Sequence, residues 1–389
     1  MTKEEKQEKA RVDRILAKGP IDLPFALLVL LLTGIGVLMV FSASFARAFY
    51  EAENPTVMSA LSVFIRQLAF AGVGVVVMFA VSKIDYHRWR RFATPILFLA
   101  LGLLLFVIIP HNPLAITSHN ATRWIGVPGL SFQPSEVAKF AVILYFAATI
   151  SVKKGKMEHF KEGIFDYMVI LGIIVFLMML EPHMSGSILI LGIGGAMMFV
   201  GGISRKMVGL GAGTVVVGLL ILLSGVLPYG QNRIMQWKDP WAYALDEGYQ
   251  TCQGLLAIGS GGLAGVGFGK GRQKLLYLPE EHNDMIFSIC CEELGFIGAA
   301  LIVALFCFLV LRGYWIATKA RDRFGGLLAV GITTMIALQS FLNIAVVTNF
   351  VPNTGISLPF FSYGGTALLI QMFEMGVLLS VSRQIRLTK

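Results

Sequence analysis

The chain has 389 residues, of which 56% are hydrophobic and only 14% charged, with a formal net charge of +9. Soluble domains carry roughly a quarter charged residues, so these values exclude an ordinary soluble domain. They point to an all-α polytopic membrane protein. A nucleic-acid-binding role would need the excess basic residues to be clustered, so their placement along the chain decides that question.

Residues 1–22 form a basic tail with no apolar run and no small-residue cleavage pattern after it, so no removable signal peptide is expected. Apolar runs long enough to span a bilayer then recur to the far end, with no separable soluble block. They predict about ten transmembrane helices, near 23–45, 60–82, 93–110, 134–151, 164–180, 186–204, 207–228, 285–311, 325–349 and 360–382. These form one membrane domain over 23–383, followed by a short tail at 384–389. Both termini then share a side.

If that side is cytoplasmic, all but nine of the 32 Lys and Arg residues fall in inner loops and tails. The nine are Arg47, Arg66, Arg123, Lys139, Arg233, Lys238, Lys270, Arg272 and Lys274. Every short inner loop is basic, as the positive-inside rule requires. The charge therefore reports topology, and no nucleic-acid partner is expected.

Polar sequence gathers on the outer face, in loops 111–133 and 229–284, the second lying between helices 7 and 8. Long loops of this kind are usually functional. The glycine run at 258–271 either brings backbone N–H groups close to a ligand or makes tight turns. It is no P-loop, because Ala264 and Gly271 occupy positions that need Gly and Ser or Thr. Cys252, Cys290, Cys291 and Cys307 show no CxxC spacing and read as packing residues, with no metal site.

Several constellations carry chemistry. Arg123-Trp124-Ile125 is followed by Gln133-Pro134-Ser135-Glu136, with Pro134 suited to the first turn of a helix. Glu136 and Lys139 share a face of that helix, either as a self-neutralising pair that fastens two helices or as the polar wall of a cavity. The turn Glu181-Pro182-His183-Met184-Ser185 holds a histidine that reads as an ordinary loop residue. Asp284 stands where the long loop enters the eighth span, preceded by Glu280, Glu281 and His282. An ionisable group there is rare without pairing or function, although a carboxylate at a helix start also interacts favourably with the dipole. Glu292 and Glu293, two turns further in, read as structural. Residues 352–365, with two prolines and three glycines, imply irregular backbone at membrane depth.

Three of these stretches resemble the SEDS family, which includes FtsW, RodA and SpoVE. They are Arg-Trp-Ile with Gln-Pro-Ser-Glu-x-x-Lys at 123–139, the run from Gln273 through Tyr-Leu-Pro-Glu to Glu-Glu-Leu-Gly at 295, and Gly-x-x-Leu-Pro-Phe-x-Ser-Tyr-Gly-Gly at 355–365. The resemblance covers the chain after residue 23, and Arg-Gln-Lys before Tyr-Leu-Pro-Glu is more similar to the FtsW and SpoVE branch than to RodA. Two departures stand out. Asn283 replaces the usual Thr before the Asp, and Glu181–Ser185 replaces Gln-Pro-Asp-Leu-Gly, which puts His183 where the family has an acid.

The resemblance implies a peptidoglycan glycosyltransferase that polymerises lipid II on the outer face of the bacterial cytoplasmic membrane, in division or a related process. It implies Asp284 as the catalytic residue, taking a proton from the attacking hydroxyl. Candidate substrate-binding residues are Arg123, Glu136, Lys139, Lys274, His282 and Ser362, with positive charge or a divalent cation (Mg or Mn) meeting the leaving diphosphate. Implied partners are lipid II, a class B penicillin-binding protein and other division proteins. The competing readings are a lipid II flippase, an elongation polymerase of the RodA type, and a scaffold for division proteins.

Overall fold

The structure is a computed structural model. It describes residues 19–385 apart from 53–54, 110–111, 113, 119–120, 128–129, 154, 205, 212, 214–233 and 247. The basic tail before residue 19 and most of the seventh expected span, 207–228, lie outside the described residues.

Helix α1 is Leu23–Tyr50 and α2 is Val57–Ser82. A 3-10 turn at Tyr86–Phe92 leads into α3, Ala93–Ile108. Helix α4 is Pro134–Ile150, α5 is Phe165–Leu180 and α6 is Met184–Val200. A helix inside the long loop, α7, is Tyr249–Gly261. The last three are α8, Ile286–Lys319, α9, Arg323–Val347, and α10, Gly365–Ser382. Among the described residues seven helical segments are long and apolar enough to cross a membrane, and α6 is a shorter apolar helix. Phe98, Leu99, Phe176, Phe296, Leu301 and Leu311 are exposed, as expected of side chains that face lipid instead of a core. The protein is a multi-pass membrane protein.

Local chemistry fixes the helix starts. The Asp22 carboxylate accepts from Phe25 N at 3.0 Å, with Pro24 in the first turn. Thr56 and Ser59 form a reciprocal capping box at α2, and Asp322 caps α9 through Gly325 N at 3.0 Å. Asp22 also pairs with Arg312 of α8 at 2.8 Å, tying the first helix to the end of the eighth. Helix α2 packs along both α1 and α10, and α9 packs against α4, α6 and α8.

Two loop elements were not legible from the sequence. Residues 111–133 carry a three-stranded antiparallel sheet, β1 (Ala115–Ser118), β2 (Ala121–Val127) and β3 (Leu130–Phe132). The glycine run, for which two readings stood open, makes tight turns that clasp α8 where that helix breaks at Gly295 (φ 66). Val266 N and Gly267 N donate to the carbonyls of Glu292 and Glu293 at 3.0 and 3.1 Å, while Phe296 N donates to Gly262 O at 2.9 Å. A Cβ on Gly295 would lie 2.2 Å from Gly265 N, and one on Gly265 would lie 2.2 Å from Glu293 O. Only glycine lets these two backbones approach so closely with positive φ.

Candidate active site

A cavity of about 1080 Å³ opens among α4, α6, α9, α10 and the long loop. Its lining includes Arg123, Ser135, Glu136, Lys139, His183, Glu280, Asn283, Asp284, Gln339 and Ser362. Four of the six expected substrate-binding residues, together with Asp284, therefore meet at one site.

Asp284 lies in the turn ahead of α8, whose backbone is tied on several sides. Glu280 adopts φ 54, and its carbonyl accepts from Asn283 N at 3.0 Å and Met285 N at 3.3 Å. Asn283 also bonds the Glu280 carboxylate through its side chain. Ser362 Oγ donates to Asn283 O at 2.7 Å, and Tyr363 N donates to His282 O at 2.8 Å. From α9, Asn343 Nδ2 donates to both Asp284 O and Ile356 O, each at 2.7 Å. Asp284 Oδ1 has no hydrogen-bond partner. Burial, and then the charge of Glu280, push the Asp284 carboxyl up to about 7. A carboxylate with an unspent oxygen and a pKa near neutrality suits general-base work.

Lys139 resolves the two readings of its pair in favour of both. Its Nζ lies 2.8 Å from Glu136 Oε1 and donates to Gln339 Oε1 at 3.1 Å. Gln339 Nε2 donates in turn to Ser357 O and Oγ at 3.2 and 3.1 Å. The pair fastens α4 to α9 and to the irregular segment before α10, and it also walls the cavity.

Arg123, on β2, lines the cavity while its guanidinium holds the turn between α5 and α6. Nε donates to Glu181 O at 3.3 Å, and Nη2 to Pro182 O. In that turn Glu181 is buried and both its carboxyl oxygens lack partners. Burial pushes it up to about 8, against the pull of Arg123. His183 is pushed down to about 3 by burial and by the cations Arg123 and Lys139. Both groups are neutral at pH 7, so this turn adds no charge to the cavity.

Two expected residues stand elsewhere. Lys274 is buried in an ion pair with Glu293, and its Nζ also donates to Ser42 Oγ at 2.7 Å. His282 packs edge-on against Tyr363, with the ring near Glu281, and is not among the lining side chains. The structure does not bring either to the cavity wall. Lys274 is drawn instead to Glu293, which faces the glycine run. There Glu293 gathers Lys274, Ser42 and Gly269 N, while Glu292 takes Arg272 N at 2.7 Å. The structural reading of Glu292 and Glu293 fits these contacts. Ser362 reaches the lining, but its hydroxyl is occupied by Asn283 O and Leu358 N.

Residues that the sequence reading passed over complete the site. Gln339 and Asn343 sit four apart on α9 and are almost fully buried. Two amides one turn apart in an otherwise apolar span were a signal available in the sequence. Among the described residues no three His, Cys, Asp or Glu side chains gather as metal ligands.

Residues 23–387 match the family model described as cell cycle protein, FtsW/RodA/SpoVE. Over 365 residues the chain is 39% identical to a probable peptidoglycan glycosyltransferase FtsW of Geobacter sulfurreducens, covering 94% of this chain and 96% of that one. It is 40% identical over 368 residues to stage V sporulation protein E of Bacillus subtilis, covering 94% and 98%. Among solved structures, a peptidoglycan synthase complex includes a chain that superposes with a TM-score of 0.77 at 23% identity, covering 95% and 99%. The rod shape determining protein RodA of Thermus thermophilus gives a TM-score of 0.68 at 24% identity, covering 94% and 98%. At this identity the two structures speak for the fold, which is that of the helical bundle described above. This chain belongs to the FtsW/RodA/SpoVE family, with its greater likeness to the FtsW and SpoVE members.

Proposed function

We propose that this chain is a peptidoglycan glycosyltransferase that joins lipid II units into glycan strands. The observation that carries the reading is Asp284, a carboxylate with an unspent oxygen on the wall of a cavity that also holds Lys139 and Arg123. The name of the FtsW relative, a probable peptidoglycan glycosyltransferase, supports it.

A hydroxyl of one sugar gives its proton to the Asp284 carboxylate, and its oxygen forms a bond to the anomeric carbon of a second, diphosphate-linked sugar. The bond from that carbon to the phosphate oxygen breaks, and the electron pair leaves with the diphosphate. Lys139 and Arg123 favour the growing negative charge. The polyprenyl tail stays in lipid while the sugar diphosphate enters between helices.

The site lies in the bacterial cytoplasmic membrane, with both termini on the cytoplasmic side and the cavity on the other. The positive-inside distribution supports this orientation. A class B penicillin-binding protein is the expected partner, supported by the likeness to a chain from a peptidoglycan synthase complex, and septal synthesis in division is the favoured role. The test is lipid II polymerisation in liposomes with the cognate transpeptidase. Glycan strands form with wild type and vanish with Asp284→Asn while the protein stays folded; equal polymerisation by Asp284→Asn would overturn the reading.

A further inference from the structure

The cavity has a second end that the proton transfer at Asp284 does not use. It is formed where the first turns of α4 and α6 meet. Ser135, the second residue of α4, is 2% exposed, and its Oγ has no hydrogen-bond partner. His183, immediately before α6, is 9% exposed, and its Nδ1 has no partner either. Both side chains belong to the cavity lining, as do Met184, Ser185 and Gly186 of the first turn of α6. The first amides of a helix have no acceptor within the helix.

The tautomer of His183 follows from its neighbour. Its Nε2 lies 3.4 Å from Gln133 Nε2, and an amide nitrogen in that orientation only donates. Nε2 therefore accepts, and the proton of the neutral ring sits on Nδ1. A Cβ on Gly186 would lie 2.8 and 2.9 Å from the Cε1 and Nδ1 of this ring, so the glycine is what lets the imidazole rest against the first turn of α6. At this end a buried, unpartnered Ser135 Oγ and His183 Nδ1 stand beside a helix N-terminus, with Lys139 and Arg123 acting electrostatically on the same ring.

The acids around it do not oppose an anion. Glu136 is paired with Lys139, Glu181 is held protonated at pH 7 by burial, and Glu374 of α10 is fully buried behind Lys139, outside the cavity lining. A hydroxyl, an imidazole and the free amides of a helix start, with cations nearby and a helix dipole behind them, match phosphate oxygens.

We propose that Ser135, His183 and the first turn of α6 form a phosphate seat for the diphosphate of a polyprenyl-linked sugar or of the departing polyprenyl diphosphate. The choice of diphosphate rests on the glycosyltransferase reading. The seat orients the leaving group away from Asp284, and the histidine that stands in place of the family's acid serves as a neutral donor there.

The test reads binding without turnover, with the full chain in nanodiscs. Undecaprenyl diphosphate and uncharged undecaprenol are compared by displacement of a fluorescent polyprenyl diphosphate. Ser135→Ala and His183→Leu are each expected to weaken diphosphate binding at least tenfold and to leave undecaprenol within twofold, with Ser135→Thr restoring wild-type binding. Variants that bind the diphosphate as wild type does, or lose both lipids equally, overturn the seat. If the variants do not fold, hydrogen exchange on wild type decides: undecaprenyl diphosphate must protect the amides at 184–186, and unchanged exchange there overturns the proposal. A wild-type chain that binds the diphosphate yet makes no glycan overturns the polymerase reading alone, whereas glycan synthesis without protection at 184–186 overturns only the seat.

Discussion

Asn343→Leu tests whether Asp284 depends on the helix behind it. Asn343 is wholly buried, and its Nδ2 serves two carbonyls, Asp284 O and Ile356 O, each at 2.7 Å. Leucine has a similar volume and donates nothing, so two buried acceptors lose their donor at a cost of about 1 to 3 kcal/mol each. Asn343 Oδ1, however, is itself without a partner, and its removal returns about the same amount once. The net loss of stability is then about 1 to 3 kcal/mol, a modest fall in the melting temperature. Activity falls much further, because Asp284 loses the bond that fixes its backbone and a displacement of about 1 Å can cost roughly a hundredfold in rate. Polymerisation rate and thermal unfolding, measured on the same preparation, separate the two effects. A variant that melts lower and polymerises within twofold of wild type would refute the positioning argument.

Other perturbations follow from the same geometry. With the Asp284 carboxyl near 7, the base is ionised above that pH and protonated below it. The rate under subsaturating substrate is therefore expected to fall about tenfold per pH unit on the acid side, and a flat profile between pH 5 and 8 would contradict the role. Lys139→Met strands Glu136 in a buried site and is expected to destabilise the protein by about 3 to 5 kcal/mol. Adding Glu136→Leu should restore folding without activity, as read by size-exclusion chromatography and glycan synthesis. Gly295→Ala places a Cβ against Gly265 N at φ 66 and is expected to abolish folded protein, measured as loss of the monodisperse peak.

Seven helical segments were legible because each is an apolar run long enough to show on its own, and Pro134 marked the start of α4 correctly. Asp284 was legible as a carboxylate at the edge of an apolar segment, a position that costs free energy and so invites explanation. What could not be read was pairing set by a backbone break. Lys274 and Glu293 lie 19 residues apart, and nothing in a helical or extended pattern joins them. Their contact forms where the glycine run folds back against α8, which needed the three-dimensional path of both segments. The sheet at 115–132 was hidden for a simpler reason, since strands of 3 to 7 residues carry too short an alternation to stand out. The neutral state of His183 was equally invisible, because it depends on burial and on Arg123 and Lys139 brought up from other elements.

The irregular segment before α10 bears on the choice between a polymerase and a transporter. Backbone without regular structure at membrane depth must find its hydrogen bonds from protein, and here four side-chain amides supply them. Gln67 of α2 holds Ser362 O and Gly364 N, each at 3.4 Å. Gln371 of α10 accepts from Phe360 N at 3.1 Å, Gln339 of α9 holds Ser357, and Asn343 of the same helix holds Ile356. Phe360 and Phe361 are buried beneath them, and a Cβ on Gly36 of α1 would meet Phe360 O at 2.2 Å. Four helices thus lock one floor under the cavity. A transporter working by alternating access must open its site to both sides, and here that would break these amide contacts in each cycle and pull two phenylalanines from their packing. A polymerase that draws both substrates from one face leaves the floor intact, together with the Asp284 turn that Asn343 and Ser362 bond to it.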